Sequence, residues 1–118
     1  MPKVLTQAEL ADFREKLCET ATSLFASRGR EGFTKRELAG RLGVSPMTPY
    51  RYFRDKDAIL AAVRERAFDQ FSLALEVAFA LPGNALEKSI AVCDAYVAFA
   101  FGHPASYRLM FDLTQADA

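Results

Sequence analysis

Within the run FTKRELAGRLGVSPMTPYRYFRDK, residues 33–56, hydroxyls and cations are interspersed with short apolar stretches. The chemistry open to them is recognition of phosphates and base edges rather than catalysis. Thr34, Lys35, Tyr50, Tyr52 and Lys56 suit phosphate oxygens, contacts that set register without reading sequence. Arg51 is the side chain able to make a bidentate pair with guanine, a contact worth about 1–3 kcal/mol of discrimination. Thr48 could bond a base edge or touch a thymine methyl. Met47 offers apolar contact alone, which favours thymine.

These residues need two short helices and a tight turn to present them. Thr34-Lys35-Arg36-Glu37 has the spacing of a capping box, opening a helix whose inward face is Leu38, Ala39 and Leu42. Gly43-Val44-Ser45 supplies the turn: a small residue for the bend, an apolar wedge, then a cap for a third helix with Pro46 at its first position. In such a helix-turn-helix the second helix enters the major groove by its N-terminal residues, here Pro46, Met47, Thr48 and Arg51. The helix start at Thr34 adds its own unpaired amides as an anion site. Two short capped helices around a glycine occur in many all-α domains. Spacing alone therefore leaves nucleic-acid binding and a purely structural role both open. Phe53 reads as core.

The rest of the chain is helical as well. Thr6-Gln7-Ala8-Glu9 is a capping box, and Leu10, Phe13, Leu17, Ala21, Leu24 and Phe25 form one apolar stripe on a helix from about Gln7 to Arg28, ended by Gly29. Asp55 caps a fourth helix that keeps its period through Ile59, Leu60, Val63, Ala67, Phe71, Ala74 and Ala78 to about Leu81, before the Pro82-Gly83 break. Asn84 to Glu87 caps a fifth, with Leu86, Ile90, Cys93, Val97 and Ala100 inward. Gly102-His103-Pro104 breaks that one, and a sixth runs roughly from Ala105 to Leu113. There is no repeat, no low-complexity linker and no convincing strand: the fold class expected is all-α.

Net charge is zero across 118 residues, but the sign is divided. Residues 1–66 carry 13 Lys/Arg against 9 Asp/Glu, residues 67–118 carry 2 against 6, and from Arg28 to Lys56 the balance is 8 to 3. A basic half facing a polyanion would produce this asymmetry. A single His, no paired carboxylates at a helix break and no Gly-rich phosphate loop argue against an enzyme, so no catalytic residue is assigned. Cys18 and Cys93 fall inside helices without partners at metal-ligand spacing and read as core. His103, before Pro104, reads as a turn residue; neither a metal nor a cofactor is expected. Met1 to Ala11 lacks the apolar run of a signal peptide, and no stretch reaches the roughly 20 apolar residues a membrane span needs. A cytoplasmic address without membrane partners follows.

Residues 24–63, LFASRGREGFTKRELAGRLGVSPMTPYRYFRDKDAILAAV, resemble the DNA-binding region of the TetR family of bacterial transcriptional regulators. The matching features are Leu24-Phe25-Ala26, Gly29, Gly32-Phe33-Thr34, Leu38-Ala39, Gly43-Val44-Ser45, Thr48, Tyr50, Tyr52-Phe53, Lys56 and Ile59-Leu60. The resemblance implies DNA contact at Thr34, Lys35, Arg36, Pro46, Met47, Thr48, Tyr50, Arg51, Tyr52 and Lys56. It further implies a homodimer on a palindromic double-stranded operator, in a full-length form. Phe99 to Phe111, FAFGHPASYRLMF, looks like the start of a ligand-binding domain in one branch of that family. An effector pocket lined by Phe68, Phe71, Tyr96, Phe99, Tyr107 and Phe111 is the corresponding expectation; at helical spacing the same rings, with Phe79, suit a core better than a pocket.

Two departures stand out. Pro49 occupies a position where the family usually has Leu or another aliphatic, so a distorted or shifted first turn of the third helix is expected. The chain also ends at Ala118, where family members continue for several helices, so it is expected to lack most of a dimer interface, as a fragment or a short member. The domain organisation expected is a helix-turn-helix domain over 1–55, completed by the start of helix four to about residue 66, and a partial helical effector-binding domain over 56–118. The function expected is sequence-specific DNA binding in transcription regulation, as a repressor released by an apolar small molecule. The alternatives are a ligand-independent truncated DNA-binding protein and a helical protein-interaction module.

Overall fold

The first helix begins where its end groups can be satisfied. The Thr6 hydroxyl oxygen accepts from the Glu9 amide at 3.1 Å, and the Glu9 carboxylate accepts from the Thr6 amide at 3.0 Å, the full capping box. From there α1 (Gln7–Gly32) buries Leu17, Cys18, Ala21, Leu24 and Phe25. The backbone breaks at Gly29 (φ 73°, ψ 173°), a left-handed φ that glycine adopts without steric penalty. The regular helix thus ends after Arg28, as expected. Leu10 is exposed rather than inward, because it lies in the first turns, ahead of the buried stretch that starts at Leu17. The structure, a computed structural model, describes residues 6–111, and among them every regular element is helical.

The second helix, α2 (Lys35–Leu42), starts with half of the expected box. The Thr34 hydroxyl oxygen accepts from the Glu37 amide at 3.1 Å. The Glu37 carboxylate does not return to Thr34; it pairs with Arg28 at 2.6 Å and lies 3.7 Å from Arg41, because a charged partner outcompetes a neutral backbone amide. Gly43 (φ 70°, ψ 33°) stops α2 in a Schellman arrangement, with the Val44 amide donating to Ala39 at 3.0 Å and the Gly43 amide to Gly40 at 3.2 Å.

The expected third α-helix is not formed. Ser45 Oγ accepts from the Met47 amide at 3.2 Å as a turn, and the chain then winds into a 3₁₀ turn, Thr48–Arg51. Its bonds run three residues back: Thr48 to Ser45 at 2.9 Å, Tyr50 to Met47 at 3.2 Å, Tyr52 to Pro49 at 3.1 Å. The corresponding bond to the Pro46 carbonyl would need an amide at Pro49, which has none. The Pro49 ring is itself fully buried, so the residue that shortens the helix also plugs the core beneath it.

Asp55 caps α3 (Lys56–Phe79), its carboxylate accepting from the Ala58 amide at 2.9 Å. Lys88 closes the other end, donating to the carbonyls of Phe79 (2.7 Å) and Leu81 (2.9 Å). The chain divides into two units, Met1–Val63 and Arg64–Ala118, with α3 contributing to both. In the first, α1 packs on α2 and α2 on the 3₁₀ turn. Phe25 and Phe33 stack there with centroids 3.9 Å apart, and Leu38, Phe53, Ile59, Leu60 and Val63 are buried. Burying each large apolar side chain contributes about 1.5–3 kcal/mol.

In the second unit α4 (Ala85–Gly102) opens with the complete Asn84–Glu87 box and packs on α5 (Pro104–Phe111). Ala67, Phe99 and Met110 form its buried centre, with Phe71 and Tyr107 packed against them. The face expected inward is the wrong one: Leu86 (69%), Ile90, Cys93 and Val97 are exposed, and Phe99 takes the core instead. Because α4 is apolar nearly all round, several stripes satisfy a helical period, and contacts rather than spacing select one. Cys18 is buried as expected; Cys93 is not. The sixth expected helix starts at Pro104, and its expected end at Leu113 lies outside the described residues.

Candidate nucleic-acid interface

Eight cations stand between Arg28 and Lys56, and the fold pairs four of them with carboxylates. Arg28 and Arg41 share Glu37; Arg30 takes Asp57 at 2.7 Å and Glu31 at 2.8 Å; Arg54 lies 3.6 Å from Asp55. Lys56 donates to the Arg30 carbonyl at 3.2 Å. Among the described residues, Lys35, Arg36, Arg51 and Lys56 have no carboxylate at ion-pair distance, and of these Lys35, Arg36 and Arg51 are not engaged by a backbone carbonyl either. These three sit in the first turn of α2 and at the end of the 3₁₀ turn, elements that touch. The Lys35 ammonium lies 3.9 Å from the centroid of the Tyr50 ring, so the two meet there.

Around these cations the other expected site residues divide. Thr34 is exposed at the start of α2. Pro46 and Met47 project from the turn, Met47 being 65% exposed. Tyr50 is 45% exposed and Thr48 half-buried. Tyr52, by contrast, packs its ring against Phe13 at 5.3 Å, and Lys56 is engaged by the Arg30 backbone. Sequence reasoning missed the support from α1: besides Phe13, the Arg14 guanidinium lies over the Phe53 ring at 5.0 Å. The apolar stripe of α1 named Phe13, but nothing in the spacing named its partner. The Asp55 carboxyl is held below the usual carboxylate range, chiefly by the Ala58 amide and further by Arg54 and Lys35, with desolvation opposing.

The six rings expected to line a pocket in the second unit are brought together. Phe68 meets Phe111, Phe111 meets Tyr107, Tyr107 meets Tyr96, Tyr96 meets Phe71, and Phe71 meets Phe99, all with centroids 5.0–6.2 Å apart. The Tyr96 and Tyr107 hydroxyls are 2.8 Å apart, and that hydrogen bond pushes the Tyr107 phenol above its ordinary pKa. The rings thus pack on one another. Of the six, Tyr107 and Phe111 also line an open depression of about 510 Å³ with Ala100, Pro104 and Arg108. Phe79 stands apart under Lys88, and His103 packs on Phe99 at the turn. Among the described residues no His/Cys/Asp/Glu cluster could hold a metal, and no helix is long and apolar enough to cross a membrane.

Comparison with known proteins fits this geometry. The family described as bacterial regulatory proteins, tetR family, matches residues 17–63, which span α1 from Leu17 through the turn into α3. The tetracycline repressor protein class C of Escherichia coli is 44% identical over 52 residues, 44% of this chain and 24% of that protein. The crystal structure of a TetR-like transcriptional regulator from Rhodococcus sp. RHA1 shares the fold, with a TM-score of 0.82 at 23% identity over 96% of this chain and 61% of that one. The chain therefore spans about a quarter of the repressor and under two thirds of the regulator. Residues 17–63 are thus similar to the DNA-binding region of the TetR family of bacterial regulatory proteins.

Proposed function

We propose that this chain binds double-stranded DNA sequence-specifically as a transcription regulator, with the first turn of α2 and the Thr48–Arg51 turn as its reading surface. The observation that carries this is the set of cations engaged by neither a carboxylate nor a backbone carbonyl, Lys35, Arg36 and Arg51, grouped with the exposed Thr34, Met47 and Tyr50. Arg51 reads a guanine, Met47 and Thr48 meet base edges, and Thr34, Arg36 and Tyr50 hold phosphates. Tyr52 and Lys56 have phosphate roles secondary to their contacts inside the fold. The finer reading is a cytoplasmic repressor that acts as a homodimer in a full-length form. Two copies reach successive major grooves of a palindromic operator about 34–36 Å apart. An apolar effector entering beside Tyr107 and Phe111 would tilt α3 and change that spacing. A ligand-independent DNA-binding protein is the second reading, favoured by the way Phe68, Phe71, Tyr96, Phe99, Tyr107 and Phe111 are already in contact with one another.

Fluorescence anisotropy on a palindromic duplex selected from a random pool tests the common core of both readings. Affinity is expected to fall as salt rises, with roughly 0.9 of log–log slope for each phosphate a cation neutralises. Arg51→Ala is expected to lower discrimination against the mismatched base by about 1–3 kcal/mol. Binding of every duplex no tighter than that of a neutral control protein would sink the proposal. An effector is supported only if an apolar compound that occupies the second unit weakens duplex binding.

A further inference from the structure

The reading element is four residues long and cannot hold its own shape. A 3₁₀ turn has poorer hydrogen-bond geometry than an α-helix, and this one has no side-chain cap. Its shape is held from outside, one residue at a time. Phe53 and Pro49 are buried, Phe53 beneath Arg14 of α1. Tyr52 is held by the Phe13 ring. Tyr50 is different: nearly half of it is exposed, so burial does not fix its ring. The contact that does is the Lys35 ammonium at 3.9 Å from its centroid; Asp55 acts on Lys35 only from beyond ion-pair distance.

We propose that Lys35 is a positioning residue of the DNA interface: its ammonium clamps the Tyr50 ring and so sets the direction in which Tyr50 and the adjoining Arg51 meet the duplex. This rests on the DNA-binding reading, but it assigns Lys35 a role unlike that of a simple phosphate contact. The two roles differ in what they alter. A phosphate contact weakens binding to all sequences alike and contributes about 0.9 to the salt slope. A positioning contact acts on the contact that discriminates, so its loss shows in the ratio of selected to random duplex.

The test has a DNA-free arm and a DNA arm. In the free protein, NMR is expected to show the Lys35 ε-methylene protons shifted upfield by the Tyr50 ring current, and the shift to vanish in Tyr50→Leu. On DNA, the probes are a duplex selected by the wild-type chain and a random-sequence duplex. Lys35→Met is expected to lower the selected-to-random affinity ratio about two- to fivefold, the size of an exposed cation–π contact. Lys35→Arg, which can still sit over the ring, and Tyr50→Phe, which keeps the ring, both retain the ratio. Lys35→Met combined with Tyr50→Leu falls no further than the worse single variant. Absence of the ring-current shift, equal loss on both duplexes, or additive losses in the double variant each overturn the proposal while leaving DNA binding intact. If the wild-type chain binds neither duplex, the DNA-binding reading itself fails, whatever the NMR arm shows.

Discussion

Asp55 does two things with one carboxylate. It accepts the Ala58 amide at the start of α3, and it lies near Arg54 and Lys35, which favour its charged form. Its pKa in the folded chain is therefore below that of the unfolded chain. Stability from this cap is fully present above the unfolded pKa and is lost as pH falls through the folded one. Asp55→Asn keeps an acceptor but removes the titration. Thermal midpoints measured from neutral to acid pH are expected to converge, with the wild type losing its advantage as the carboxylate protonates. A constant difference between the two across that range would show that the Asp55 charge plays no part. At this scale the sequence was a good guide, because a cap needs only a side chain and an amide three residues on.

Pro49 acts on a whole element. As a sequence feature it signals a disturbed first turn, and the disturbance found is the replacement of an α-helix by four residues of 3₁₀ geometry. Its full burial explains why a residue so poor for helices is tolerated there. Pro49→Leu restores an amide and keeps an apolar plug of similar bulk, so global stability should move by less than about 1.5 kcal/mol. The expected local outcome is larger: backbone chemical shifts over residues 46–51 turn α-helical, and the new amide at 49 becomes protected from exchange. Shifts that stay as in the wild type would mean that the surrounding packing, not the missing amide, imposes the short turn. The same scale shows where periodicity fails. The stripe Leu86, Ile90, Cys93 and Val97 has helical spacing, yet α4 turns Phe99 inward.

For the molecule as a whole, the helix that matters most is α3. Ile59, Leu60 and Val63 are buried in the first unit and Ala67 in the second, on one uninterrupted helix capped at both ends by Asp55 and Lys88. Thermal unfolding followed by circular dichroism is therefore expected as a single transition. Phe25→Ala and Phe99→Ala, each leaving a cavity in one unit, should each lower stability by about 3–5 kcal/mol. Two separated transitions, each answering to only one of the substitutions, would show that the units unfold independently. The charge division from basic first half to acidic second half is likewise a whole-molecule property. Only the cations that the fold leaves without carboxylates give it chemical meaning.

By itself the sequence determined the helical fold class, the helix starts at Thr6, Thr34, Asp55 and Asn84, the stops at Gly29 and Gly43, and the segment that resembles a DNA reader. Each of these rests on interactions within a few residues, or on a run of residue types, so it is written locally. Tertiary structure alone decided which cations remain available. Arg30 and Asp57 are 27 positions apart, and Lys56 reaches the Arg30 carbonyl across 26, so counting charges could not separate paired cations from free ones. It also decided that Lys35 meets Tyr50 and that Phe99 rather than Val97 faces the core. The physical reason is the same throughout. Ion pairing, cation–π contact and burial depend on distances of a few ångströms between residues far apart in the chain, and only folding sets those distances.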